Sequence, residues 1–381
     1  MTNALTAPRG PLNGVRVLEI AGLGPGPFCA MMLADMGADV LRVDRREAAD
    51  FGVQRDPRYE VTRRGRRSVL ANLKDPEDLE RVRRLVENAD ALIEGFRPGV
   101  MERLGLGPDE CLKLNSRLVY GRMTGWGQSG PMAQVAGHDI NYLALSGTLS
   151  VIGERDRPPV FPGNLLGDYG GGGMYLAFGI ACALFESRGS GRGQVVDAAI
   201  VDGVASLSAY LHGLRAGGYW TNRRADNMVD GGAPYYNIYR TNDDRWVAVG
   251  AIEMRFYAAL LKTLGLNDVP LERQHDKADW PALKVRMADV FATESRETWC
   301  RRFEGVDACF SPVLDLDEAP RHPHNVARST FIEFDGVCQP APAPRFSRTT
   351  CRAPEPSAAA QSIAWDALPD WGGRKHKISD D

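Results

Sequence analysis

Short apolar runs recur along the first two hundred residues, separated by amphipathic stretches and glycine-bounded turns. VRVLEI (15–20) has the length of a strand, PFCAMMLADMG (27–37) has helical composition and closes on a glycine, and DVLRVD (39–44) is a second strand. Together they predict a β-α-β unit. SVLANL (68–73), ALIEGF (91–96) and RLVYGRM (117–123) read as further strands, and PEDLERVRRLVENA (76–89) as a helix. Strands alternating with helices imply an α/β fold with a mostly parallel sheet and active groups near its carboxyl edge.

The pattern then changes. VVDAAIVDGVASLSAYLHGLRAG (195–217) reads as a strand running into one long helix, and YYNIYRTNDDRWVAVGAI (235–252) as two strands around an Asn-Asp-Asp turn. MYLAFGIACALF (174–185) falls short of the ~20 residues that cross a bilayer and reads as a buried helix. CQPAPAPRFSRTTCRAPEPSAAA (338–360) is rich in proline and alanine, as in an extended segment returning over the surface. The expected organisation is a large domain over 1–198, a helical linker over 199–230, a small α+β domain over 231–325 and a return segment over 326–381.

Composition narrows the function classes. With 44% hydrophobic and 25% charged residues the chain can bury a sizeable core, and a net charge of -3 gives no global attraction to nucleic acid or anionic membrane. Seven cysteines, scattered and without a C-x-x-C pair, fit reduced thiols in a cytosol. With no charged-then-apolar leader at its start and KISDD at its end, which is not a peroxisomal address, the expected location is cytoplasmic. His212, His322 and His324 lack the companions that a zinc site needs, so no metal is expected.

Four features carry candidate chemistry. The loop AGLGPGP (21–27) lies between a strand and a helix, and Asp44 ends the next strand where a dinucleotide fold holds ribose, but Pro25 and Pro27 break the G-x-G-x-x-G pattern. A tight turn that opens a helix on proline is the competing reading. Arg42, Arg45, Arg46, Arg63, Arg64, Arg66 and Arg67 form either a phosphate-binding cluster or a solvated face, with no interleaved aromatics to suggest nucleic acid. In AGHDINYLALSG (136–147), His138 and Asp139 stand at a helix start, where backbone N–H groups lack partners. Asp168, in NLLGDYGGGGMYLAFGI (164–180), precedes four glycines and an apolar helix, which suits either a helix cap or a site that backbone can approach closely. An imidazole and a carboxyl on opposite faces of one carbon form a simple device for removing a proton on one side and returning one on the other.

These stretches, with LEIAGLGPGPFCAMMLADMGADVLRVDR, RLVYGRMTGWGQSGP, GRGQVVDAAIVDG, NMVDGGAPYYNIYRT, VAVGAIEMRFY, DACFSPVLDLDEAP and PAPRFSR, resemble the α-methylacyl-CoA racemase group of the class III CoA-transferase (CaiB/BaiF) superfamily over most of the chain. The resemblance implies a Rossmann-like large domain that binds CoA, a smaller domain and an interlocked homodimer. It implies His138 and Asp168 as the acid/base pair, with Glu253 orienting the imidazole. It places Arg45 on a CoA phosphate, Ala71, Leu73, Lys74, Gly95, Arg97 and Arg103 along the nucleotide, and Gly137, Asp139 and Tyr142 beside the thioester. Asn72 stands where relatives often carry aspartate, a departure near the adenine.

The implied activity is interconversion of (R)- and (S)-2-methylacyl-CoA thioesters through an enolate, in branched-chain lipid metabolism. It needs no cofactor, since CoA is part of the substrate, and no partner beyond the acyl-CoA and a second copy of the chain. Two other classes stay open: a CoA transferase with Asp168 as nucleophile, and a non-catalytic acyl-CoA-binding protein.

Overall fold

In the computed structural model, which describes residues 10–46, 56–351, 362–368 and 371, the predicted β-α-β unit is present. Strand β1 (Arg16–Ile20) turns at Gly24 into helix α1 (Pro25–Asp35), and β2 (Asp39–Arg45) follows. Gly24 has a positive φ and Pro25 opens the helix, so the glycine loop has the form of a tight turn that starts a helix on proline. Next come β3 (Arg66–Ala71), α2 (Pro76–Asn88), β4 (Ala91–Glu94), α3 (Val100–Arg103), α4 (Pro108–Leu114) and β5 (Val119–Thr124). Helix α5 (Asp139–Leu145), a π-helical segment over Leu165–Gly173, α6 (Met174–Ser190) and β6 (Gln194–Ala199) complete the layer.

All six strands pair in parallel, in the order β3-β2-β1-β4-β5-β6. The chain builds outward from β1 in one direction and then, from β4, in the other. The loops after β1 and β4 therefore diverge and leave a crevice at the carboxyl edge. On one face Leu18, Leu41, Val69, Leu92 and Tyr120 pack with Val82, Leu85 and Val86 of α2. Helix α2 is well specified locally: Asp75 accepts from the N–H of Glu77 and Asp78, Pro76 starts it, and acidic residues fill its first turn.

The other face buries charge. Glu19, 1% exposed, accepts from Arg42 at 2.6 Å and from Arg66 at 2.8 Å. Arg66 also donates to the carbonyls of Pro27, Thr62 and Arg63, which ties the start of α1 to the segment before β3. Burial pushes its guanidinium below the usual arginine range, and Glu19 opposes that.

The described residues divide into two compact units, one within 1–146, 162–207 and 329–381, the other over 147–161 and 208–328. The segment 147–161, expected in the large domain, belongs to the second unit because Arg224 donates to the carbonyls of Ser150 and Glu154, and Arg155 pairs with Asp226. The single helix expected after β6 is two, α7 (Ile200–Leu207) and α8 (Ala209–Ala216), which meet at Ser208 where the chain passes between units. The second unit holds the antiparallel strands β7 (Tyr236–Arg240), β8 (Trp246–Gly250) and β9 (Phe310–Pro312), with β7 and β8 joined by the predicted Asn-Asp-Asp turn. Tyr235, Tyr257, Trp280, Phe291 and Trp299 fill its core, and α9 (Met254–Leu264) packs there.

After residue 328 the chain rejoins the first unit through the hairpin of β10 (Phe331–Phe334) and β11 (Val337–Pro340). Arg64, paired with Asp35, donates to Gln339 and to the carbonyl of Pro340, the N–H of Ile363 donates to Ser68, and Trp371 enters the core. Residues 352–360 of the proline-rich stretch and the terminal KISDD lie outside the described residues.

Helix α6 departs from its expected burial. It is apolar all round, yet Phe178 and Phe185 are 70% and 83% exposed, while Leu176, Ile180 and Ala183 are buried. Among the described residues no helix is long and apolar enough to cross a membrane.

Candidate active site

The crevice at the switch point is a cleft of about 800 Å³. Gly22–Pro25 and Gly95–Pro98 line it, together with residues from the loop after β5 and Gly137, His138, Tyr142, Asn164, Asp168 and Tyr169. All of these belong to the first unit.

His138 immediately precedes α5, as expected. Its N–H donates to Asn141 Oδ1 at 3.0 Å and its carbonyl accepts the N–H of Asn141 at 2.8 Å, which leaves the exposed imidazole in the cleft. Tyr142, one turn on, donates from its hydroxyl to the carbonyl of Gly137 at 2.5 Å and meets Trp126 edge to face at 4.7 Å. Burial, and the negative charge of Asp168 and Asp139, push its hydroxyl up to about 12, with Arg97 opposing. Asp139 is not a cleft-lining group: its carboxylate is buried and accepts the backbone N–H of Asp168 at 2.7 Å.

Asp168 is not a helix cap. It lies inside the π-helical segment, which continues directly into α6, and its Oδ2 accepts from Asn164 at 3.2 Å. The glycines after it serve helix packing rather than a ligand, since a Cβ on Gly171 would stand 2.8 Å from the backbone nitrogen of Val204 and one on Gly203 would stand 1.9 Å from the carbonyl oxygen of Gly171. Tyr169 stacks on Phe28 of α1 at 4.6 Å. Burial raises the Asp168 carboxyl above the usual carboxylate range; Asn164 lowers it, Asp139 raises it and His138 lowers it. A carboxyl raised by burial and an imidazole thus line one cleft. Asn164 was not singled out from the sequence, although its spacing of four from Asp168 puts it one helical turn away.

The arginine cluster resolves into ion pairs. Arg42 and Arg66 share Glu19, Arg63 pairs with Glu60 and Asp44, Arg64 with Asp35, Arg67 with Asp39 and Arg46 with Asp78. Asp44 is consequently engaged by Arg42 and Arg63 rather than open to a ribose. Arg45 differs: it is exposed at the carboxyl end of β2, with its guanidinium 5.8 Å from the Phe96 ring centroid and no carboxylate partner among the described residues. Ala71 ends β3, and Leu73 and Lys74 follow it in a turn where Asn72 Oδ1 accepts the N–H of Lys74, so Asn72 keeps a local contact. Gly95 and Arg97 follow β4, and Arg103 ends α3. Arg45, Lys74, Arg97 and Arg103 are all exposed and have no acidic partner among the described residues; of the four, Arg97 lines the cleft, and cations left without a carboxylate are of the type that binds phosphate.

Glu253 lies in the second unit, exposed at the start of α9. Its charge, after burial, helps raise the Cys309 thiol. Among the described residues no group of His, Cys, Asp and Glu is arranged to hold a metal ion.

Known proteins share this architecture. The chain is 49% identical over 339 residues to the alpha-methylacyl-CoA racemase of Mus musculus, covering 89% of this chain and 87% of that protein, and 48% identical over 341 residues to that of Homo sapiens, with the same coverage. The crystal structure of a CAIB/BAIF family protein from Brucella suis superposes with a TM-score of 0.79 at 26% identity, covering 92% of this chain and 98% of that one. Residues 12–373 match the family described as CoA-transferase family III, so the chain belongs to CoA-transferase family III.

Proposed function

We propose that this enzyme is a racemase or epimerase of 2-methyl-branched acyl-CoA thioesters, working by two-base α-proton transfer. The observation that carries the reading is that His138 and Asp168, whose carboxyl is raised by burial, line one cleft. The similarity to two racemases supports the substrate class.

In one direction neutral His138 takes the α-hydrogen as a proton, the electron pair passes to the thioester oxygen, and protonated Asp168 returns a proton to the opposite face. The resulting imidazolium and carboxylate serve the other enantiomer with roles exchanged. The enolate oxygen needs donors in place beforehand. The N–H of Asp168 is already given to Asp139, whereas the N–H of Asp139, at the first position of α5, has no acceptor among the described residues and is one candidate donor. The part that the resemblance gives Glu253, orienting the imidazole, is a proposal on the same footing, as are the cytoplasmic location and the place in branched-chain lipid metabolism. A homodimer belongs to the same reading: the exposed side of α6, with Phe178, Phe185 and Met174, is an apolar surface of the kind that a second subunit covers.

The test is incubation of each enantiomer of a 2-methylacyl-CoA in deuterium oxide, with hydroxylamine present in a parallel reaction. The racemase reading expects α-deuterium from both enantiomers and no trapped acyl group. An acyl hydroxamate formed at Asp168, together with CoA exchange into free acids, would establish the transferase instead.

Arg45→Ala is expected to raise KM for acyl-CoA about tenfold while kcat changes less, because a phosphate contact acts equally on ground and transition states. Steady-state kinetics with one substrate decides it; a fall in kcat at unchanged KM would put Arg45 at the reacting carbon.

A further inference from the structure

We propose that Asp139 is a positioning residue that holds the two bases at a fixed separation, an inference that rests on the two-base reading of His138 and Asp168. Asp139 follows His138 directly in the chain, and its Oδ2 accepts the backbone N–H of Asp168 at 2.7 Å across 29 residues. One peptide bond and one hydrogen bond thus join the turn carrying the imidazole to the turn carrying the carboxyl.

The seat is closely built. Asp139 is 6% exposed, and a Cβ on Gly167 would stand 2.4 Å from Oδ2, so only glycine lets the preceding peptide lie against the carboxylate. The second oxygen, Oδ1, is buried and has no hydrogen-bond partner among the described residues. A buried carboxylate oxygen left unsatisfied costs stability, and a group that only filled space would be better apolar. The retained charge has a use beside Asp168. Asn164, Asp139 and His138 bear on the Asp168 carboxyl. Arg97 and Tyr142 stand next to this set, while Gly24 and Pro25, at the start of α1, line the same cleft and Phe28 stacks on Tyr169. Asp139 is the anion among these groups, so it favours the protonated form that a donor requires. Two groups that exchange a proton across one carbon must be held to within a fraction of an ångström, since a misplacement of ~1 Å costs about a hundredfold.

The experiment uses the full-length enzyme with Asp139→Ala and Asp139→Asn, measuring α-deuterium exchange of each enantiomer, the pH dependence of kcat, and binding of free CoA by calorimetry. Asp139→Ala is expected to lower kcat about a hundredfold for both enantiomers, with CoA affinity within about threefold of wild type. Asp139→Asn keeps an oxygen that accepts the Asp168 N–H, so kcat near neutral pH should stay within about tenfold. Without the negative neighbour Asp168 becomes more acidic. Its protonated form, and the direction of turnover that needs it, are then lost at a lower pH than in wild type.

Near-normal exchange by Asp139→Ala overturns the assignment and leaves the two-base reading standing. So does an equal loss in both variants with an unmoved pH profile, which would mark a packing role alone. A wild-type enzyme that exchanges neither enantiomer overturns both readings.

Discussion

His138→Ala and Asp168→Ala are each expected to slow racemisation by about a hundredfold or more, within the ~10²–10⁴ range of general acid–base terms. CoA affinity should barely move, because the phosphate contacts expected of the exposed cations Arg45, Lys74 and Arg103, at or beyond the ends of β2, β3 and β4, are made by neither of the two side chains. The two variants should also differ in a telling way when each enantiomer is offered separately in deuterium oxide. Loss of Asp168 removes the base on one face only. The enantiomer whose hydrogen faces His138 can still exchange, with its configuration retained, because the enolate is reprotonated from the side it left. His138→Ala should show the opposite preference. Water can stand in for a missing base, so the informative quantity is the ratio between enantiomers within one variant. Equal exchange of both enantiomers in both variants would defeat the two-base geometry, and near-normal turnover in either would remove that residue from the chemistry.

The largest expected loss of stability comes from Glu19→Ala, at about 3–5 kcal/mol. Glu19 is the shared carboxylate of two nearly buried arginines, and removing it leaves Arg42 and Arg66 in low dielectric without that partner. Arg42 keeps Asp44, and Arg66 keeps its carbonyl acceptors, so the fold survives but its urea midpoint falls. Glu19→Gln, which retains an acceptor without the charge, should fall between the two. A loss under ~1 kcal/mol in Glu19→Ala would show that the paired arginines are solvated rather than buried. Arg42 and Pro27 also line the cleft, so the same change should disturb acyl-CoA binding.

The parallel sheet was legible because its cause is local: each run from VRVLEI to RLVYGRM carries its own apolar content, and a strand-to-helix alternation has one common arrangement. The start of α5 was legible for the same reason. The surroundings of Asp168 were not, since a glycine tract reads as open backbone, whereas here Gly171 and Gly203 let two helices approach. The bond from Asp139 to Asp168 spans 29 residues and leaves no periodic trace. Arginine content likewise does not say which guanidinium is paired: six of the cluster's members found carboxylates scattered from Glu19 to Asp78, and Arg45 among the described residues did not. The membership of 147–161 rests on Arg224 reaching back, and Arg155 reaching forward to Asp226, across about seventy positions. Composition could not reveal it.

The return of the chain to its first unit sets an order of events during synthesis. Arg64 waits for Gln339, 275 positions later, and Asp39 for Trp371, 332 positions later. All six strands of the parallel sheet leave the ribosome well before those partners, and residues 208–328 emerge in between. At ~5–20 residues per second the first unit stays incomplete for roughly ten seconds or longer, with Asp35 and Arg64 awaiting the later hairpin. The second unit, whose later stretch is continuous from 208 to 328, can collapse first on the ribosome, so the part made earliest is finished last.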